Sequence, residues 1–306
     1  DEGRRMKDDL SGRGRAPVAG AFAALSLALA SGAWAANGDL AVKRSAGDSE
    51  ISVRTCAKFA GAVCSIKYRG KEHIDTKDHG RLLQSAVFYD RYGECLNPTE
   101  GGSQRDRAAS TSVLKSAAVE KNRIRTTTDM AYWLRPQQEY PKGCGRRKDV
   151  KQALNKEPRS GQILDKEIVV GLRGFPNVIE HRVTYHVPAS HSHAVFEAST
   201  GYMPKEFSVA MHIDPATGAE TGRRPGGKPM PVILATPDRQ HAMGVYAPHQ
   251  EGLRYGYYRY PDVVKWNCLF HQADVGARPY SYRCLVVLGT VAEVQENTRR
   301  LERQKT

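Results

Sequence analysis

Residues 178–187 read VIEHRVTYHV, and within them Val183, Tyr185 and Val187 alternate with Arg182, Thr184 and His186. A period of two is the mark of a strand with one buried and one polar face. Similar short runs, rich in β-branched and aromatic residues, occupy positions 62–68, 82–89, 167–172, 193–198, 231–235, 242–246, 263–270 and 283–288. Pro, Gly, Asn and Asp separate them, as expected of turns. Helical periodicity is confined to residues 291–303, where the charge density predicts an exposed C-terminal helix or tail over 291–306. The pattern predicts an all-β protein, a large antiparallel β-sandwich with a short C-terminal helix. With no linker in sight, residues 36–290 are expected to form one domain, a size that all-β folds reach as a single unit. Residues 140–161 and 214–228 are expected to be loops, the second opened by the turn signal Asp214-Pro215-Ala216-Thr217-Gly218.

The amino-terminal region points to export. Arg13 and Arg15 precede an alanine-rich apolar run from Ala16 to Ala30, and Ala33-Trp34-Ala35 is a small-x-small cleavage signal. Residues 1–35 are therefore expected to be a signal peptide with its upstream residues, the mature chain beginning at Ala36 in the periplasm or medium, with no lasting membrane anchor. The whole chain carries a net charge of +13, and removal of residues 1–35 leaves +12. Such a balance attracts anionic polymers. The basic residues are nonetheless scattered, and no helix-turn-helix, zinc finger or aromatic-basic RNA motif converts charge into specific nucleic-acid recognition. All six cysteines follow residue 35, and an even count in an exported chain favours disulfides. Local spacing points to cross-strand bridges Cys56–Cys64 and Cys268–Cys284, leaving Cys95 with Cys144.

The densest polar chemistry lies in residues 78–106, DHGRLLQSAVFYDRYGECLNPTEGGSQRD. His79, Arg81, Gln84, Asn97, Glu100 and Asp106 supply donors, acceptors and carboxylates, and Gly101-Gly102 permits a sharp turn or a close approach to a ligand. Gly80-Arg81 followed by a strand, then Asn97 and Glu100-Gly101-Gly102, resembles the early region of the galactose-mutarotase-like supersandwich proteins, where a GR…N…HGG pattern lines a sugar cleft. The likeness covers some 25 residues directly. The Asn-Pro-Thr-Glu-Gly-Gly run (97–102) is also similar to that of a group of uncharacterised bacterial exported proteins. The first resemblance implies a carbohydrate cleft with Arg81 and Asn97 as hydroxyl ligands. Glu100 stands where that family has a histidine, so a catalytic imidazole does not carry over. In its place Glu100 is the expected acid or base, with Asp106 or Glu180 beside it, and Gln84 is a further substrate ligand.

In the run Val263-Val264-Lys265-Trp266-Asn267-Cys268, alternation puts Lys265 and Asn267 on one face, for ligand, and Trp266 on the other, for packing. His191 and His193 flank a turn and could jointly meet a divalent ion, but no HExxH arrangement is present and no metal site or cofactor is assigned. No nucleophile elbow, Walker A or dinucleotide fingerprint occurs. The function expected is an exported carbohydrate-binding or carbohydrate-processing protein. The alternative is a non-catalytic, envelope-associated structural protein that binds anionic polymers through its basic surface.

Overall fold

The computed structural model describes residues 38–221 and 229–304, and the expected signal peptide lies outside them. The described chain forms β1 (Ala41–Ala46), β2 (Ser49–Thr55), β3 (Val63–Tyr68), β4 (Lys71–Glu72), β5 (Leu83–Tyr89), β6 (Pro98–Thr99), β7 (Val113–Glu120), β8 (Arg123–Tyr132) and β9 (Arg159–Leu172). It continues through β10 (Phe175–His186), β11 (His191–Pro204), β12 (Val209–Ile213), β13 (Glu220–Thr221), β14 (Val232–Ala235), β15 (Ala242–Tyr246), β16 (Leu253–Arg259), β17 (Val263–Val275) and β18 (Pro279–Gly289) to the helix α1 (Val291–Arg303). The strand pairings given by the register are antiparallel.

The strands form two layers joined at the short β6. A front layer runs β16–β17–β11–β5–β3–β2–β1. A back layer runs β7–β8–β9–β10–β18–β15–β14–β12. The layers face one another, because side chains from strands that share no hydrogen bonds meet between them. Phe196 of β11 lies 5.0 Å from Tyr185 of β10, and Phe270 of β17 stacks 4.3 Å from Tyr282 of β18. Val87, Trp266, Ile124, Val183 and Val286 belong to this same buried cluster. A second apolar cluster, with Phe175, Ile233 and Val287, receives Val291 and Val294 of α1. That helix opens on a capping box between Thr290 and Glu293. The tail expected to be exposed therefore docks by one face.

Trp266 is fully buried. Its indole lies against the backbone of Gly201, where an added Cβ would come within 2.5 Å of the ring. Glycine is required there by contact and not by a turn.

The disulfides Cys56–Cys64 and Cys95–Cys144 are formed. Cys268 and Cys284 are instead buried free thiols. The expected bridge assumed adjacent strands, but β17 pairs with β11 and β16 while β18 pairs with β10 and β15. Of the expected loops, the segment near residue 140 is closed by a bridge between Glu139 and Gln152. Within 214–228, the Asp214 turn is closed by Gly218 N–H donating to the Asp214 carbonyl at 2.7 Å, and residues 222–228 lie outside those described.

Two interior histidines make the fold acid-sensitive. His181, wholly buried with neither ring nitrogen partnered, has its pKa pushed down to about 3 by burial and then by the nearby Lys166 ammonium. Burial also holds His73 down at about 4. Both folded values lie below the unfolded value near 6.5, so on acidification the unfolded chain takes up these protons first. Their contribution to stability is complete above about pH 6.5 and is lost as pH falls towards 4 and then 3, at up to about 1.4 kcal/mol per pH unit for each histidine. The urea midpoint is expected to drop steadily from pH 7 to pH 4, and less steeply in a His181→Leu variant. An unchanged midpoint over that range would refute the assignment.

Candidate functional site

Antiparallel pairing aligns three strands of the front layer so that their outward side chains form the floor of a cleft. β5 contributes Gln84, Ala86 and Phe88 by simple alternation, with Leu83, Val87 and Tyr89 turned to the core. β17 contributes Lys265, with Asn267 on the same face, while Val264, Trp266 and Cys268 turn inward. β11 needs an irregularity. Ala194, Phe196 and Ala198 are core residues, yet so is Met203, so the inward set changes from even to odd numbers along the strand. The change occurs at a bulge: Glu197 opposes Ala86 and Thr200 opposes Gln84, three residues of β11 against two of β5. Glu197, Thr200 and Tyr202 therefore all face outward together.

The walls come from loops. A 3-10 turn, Gly93–Leu96, carries Glu94 and leads into Asn97, and the chain after β8 brings Trp133 over the cleft. Trp133 N–H donates to the Asn97 carbonyl at 2.8 Å. The indole also covers Gly80, where a Cβ would lie 2.6 Å from its ring. The resulting cleft, of about 80 Å³, is lined by Gln84, Phe88, Glu94, Asn97, Glu197 and Lys265 among others. Two larger hollows of about 330 and 440 Å³ lie near α1, and neither brings two carboxylates and an amine together.

The polar groups are tightly organised. Lys265 Nζ lies 3.2 and 3.4 Å from the two Glu197 oxygens. Asn267 Nδ2 donates to the same carboxylate. Burial works against the Lys265 charge, but Glu197, followed by Tyr202 and Glu94, outweighs it and holds the ammonium pKa above its ordinary value. The ammonium also lies 5.0 Å from the Tyr202 ring centre and 5.9 Å from that of Tyr258. Burial pushes the Tyr202 hydroxyl up to about 12. Glu94 differs from Glu197 in its partner: its carboxylate accepts from Asn97 Nδ2 at 2.7 Å. Burial raises the Glu94 pKa, Asn97 and the Lys265 charge oppose the rise, and Glu197 adds to it. The cleft thus sets a carboxylate paired with a cation beside one bonded to a neutral amide.

Of the residues singled out in the sequence, Gln84, Asn97, Lys265 and Asn267 come together here. Arg81 stands beside the cleft with its guanidinium engaged by Asp262 at 2.9 Å, Asp78 at 3.2 Å and Asp75 at 4.0 Å. Glu100 points the other way, into the sandwich, where it is fully buried against Lys166 and accepts from Ser85 N–H at 3.1 Å. No accessible carboxylate remains at that position for acid or base chemistry. Asp106 is a loop clamp, accepting from Ser103 N and Thr111 N, each at 2.7 Å. Glu180 lies on β10 between Arg182 and Arg283. His191 is hydrogen-bonded to Asp90 at 2.8 Å and stacked on Tyr89.

Sequence reading missed Glu94 and Glu197. Glu197 interrupts the apolar run Ala194-Val195-Phe196-(Glu197)-Ala198, a charge in a strand that was a signal in itself. Glu94 sits inside the quoted stretch next to Cys95, so the Cys95–Cys144 disulfide anchors the turn that presents it. The bridge spans a sequence separation of 49. Replacing both cysteines by Ser is expected to cost about 2–4 kcal/mol in urea unfolding. It should also weaken ligand binding in the residual folded protein, whereas a loss of stability at unchanged affinity would detach the bridge from the site.

No protein-family model matches the chain, and no curated protein matches it. Among solved structures it is similar to a galactose mutarotase related enzyme from Lactobacillus acidophilus, at 9% identity and TM-score 0.40 over 82% of this chain and 98% of that one. It is similar to a galactose mutarotase-like protein from Lactobacillus casei, at 10% identity and TM-score 0.40 over 81% and 100%. A third is heparan sulfate lyase HepC from Pedobacter heparinus, at 8% identity and TM-score 0.43, of which the matched region is 35% and which covers 83% of this chain.

Proposed function

We propose that the protein binds and processes carbohydrate in the cleft between β5, β11 and β17. The observation that carries this reading is the pairing of Glu197, held by Lys265 and Asn267, with Glu94, held by an amide, at one cleft walled by Trp133, Phe88 and Tyr202. Aromatic faces suit the apolar face of a sugar ring, and the amides and carboxylates suit its hydroxyls. Two carboxylates in unlike surroundings divide the roles between them. Glu94, bonded to the Asn97 amide, is the carboxylate that binds substrate. Glu197, oriented by two donors, is the base. Asn97 and Asn267 position the substrate, while Gln84, bonded to Gly80 and Gly101, holds the floor in shape. Glu100 and Asp106 have no part in this chemistry. Export belongs to the same reading, supported by the two disulfides, which suit an oxidising compartment.

A glycan-binding array run together with assays for anomer interconversion, hydrolysis and elimination tests the proposal. Binding that survives high salt, with product formed by the native chain, is the expected result. Retention of anionic polymers that vanishes with added salt, with no sugar bound, would replace this reading by that of a structural protein acting through its basic surface.

A further inference from the structure

The cleft has a charge opposite to that of the protein around it. Lys265 is the sole cation among the described lining residues, and Glu197 occupies it. Arg81, at the edge, is engaged by three carboxylates. Glu94 therefore adds a carboxylate that makes no ion pair within the described lining, Lys265 acting on it only from a distance. In a chain of net charge +13 this is a local reversal, made by the choice of partners and not by composition.

The hydrogen-bonding inventory has the same bias. Asn97 and Asn267 are 3% and 1% exposed, and each donates its amide nitrogen to a carboxylate, Glu94 and Glu197 respectively. A carboxylate can only accept, so the amide orientation is fixed and the oxygen of each asparagine is what remains. Both of those oxygens, Asn97 Oδ1 and Asn267 Oδ1, are buried without a partner. Gln84 adds nothing free, since its oxygen accepts from Gly101 N–H at 2.8 Å and its nitrogen donates to the Gly80 carbonyl at 2.7 Å. The unsatisfied groups of the site are thus acceptors around an extra negative charge. Buried acceptors without donors are costly, and a ligand that supplies N–H groups and positive charge relieves that cost.

We propose that the cleft selects a sugar bearing a free, protonated amine over neutral sugars and over uronates, with Glu94 receiving the ammonium. This rests on the carbohydrate reading above. A uronate would bring its carboxylate against Glu94 and Glu197, which disfavours it although the protein is basic overall.

The test is a titration of the native chain with D-glucosamine, D-glucose, N-acetyl-D-glucosamine and D-glucuronate at pH 7 and fixed salt, followed by ligand-observed NMR. Glucosamine is expected to bind at least about tenfold more tightly than glucose, the scale of one charge-assisted contact. Acetylation should abolish the advantage, and glucuronate should bind most weakly. In Glu94→Gln the ratio of glucosamine to glucose affinity should fall to about one, and a ratio that stays at about tenfold would overturn the role of Glu94. Equal binding of glucosamine and glucose would overturn the amine selectivity and leave the sugar cleft standing, as would tightest binding of glucuronate. Failure of all four sugars to bind would overturn the cleft reading and this inference together. The comparison of ligands on the native chain requires no variant, so misfolding of Glu94→Gln would not protect the proposal.

Discussion

Replacement of Lys166 by Met is expected to destabilise the protein by about 3–5 kcal/mol. Lys166 and Glu100 meet inside the sandwich with both side chains wholly shielded from water. Each is completed by backbone: Lys166 donates to the Gly61 carbonyl at 2.9 Å, and Glu100 accepts from Ser85 N–H at 3.1 Å. Removing the ammonium strands a carboxylate in an apolar interior, and that residual charge, more than the lost attraction, sets the cost. For a domain of this size the melting temperature should fall by roughly 10 °C. Pairing the change with Glu100→Leu should recover most of the loss, because two well-packed apolar side chains are tolerated where one unpaired charge is not. Urea unfolding of both variants checks this. A single variant as stable as the native chain would show that the pair is not buried as described. The same experiment separates two roles for Glu100, since a catalytic carboxylate would lose turnover on mutation to Gln without a comparable fall in stability.

Replacement of Glu197 by Gln is expected to lower turnover by about 10²–10⁴-fold, the range for loss of a positioned base. The amide keeps the shape and can still accept from Lys265 and Asn267, so the fold should survive with a smaller loss of stability than Lys166→Met. On the proposed carbohydrate reading, sugar affinity should change by less than turnover, because Asn97 and the aromatic side chains of the cleft remain. Steady-state kinetics of the reaction found in the activity screen, with affinity measured in parallel, tests this. Loss of affinity equal to the loss of turnover would mark Glu197 as a binding group alone.

Much of the fold was legible in the sequence. The runs at 178–186 and 263–270 fall within β10 and β17, and that at 82–89 overlaps β5 from residue 83 on, because their apolar members are large. Strands β1, β8 and β16 were not legible. β8 reads RIRTTTDMAY and β16 LRYGYYR, where Thr, Arg and exposed Tyr mask a period that tertiary pairing supplies. For the site, Lys265 and Asn267 on a face opposite Trp266 followed from parity alone. Glu100 misled because a Gly-Gly turn beside a carboxylate looks the same whether the carboxylate faces solvent or the core. Nothing local distinguishes them, and Lys166, its partner, is 66 positions away.

The extra residue in β11 also determines how this cleft could change. On one side of it the outward-facing residues carry odd numbers, ending at Glu197; on the other they carry even numbers, Thr200 and Tyr202. The two halves of the floor are written in opposite phases of the same strand. Point substitution alters one side chain at a time and leaves that phase intact. Loss of a single codon between Glu197 and Thr200 would remove the bulge and leave Thr200 and Tyr202 outward, whereas loss of the one for Gly201, with the bulge kept, would turn Met203 outward and Tyr202 towards the core. The position along β11 at which a residue is lost, and not the loss itself, therefore decides whether the floor of the cleft survives.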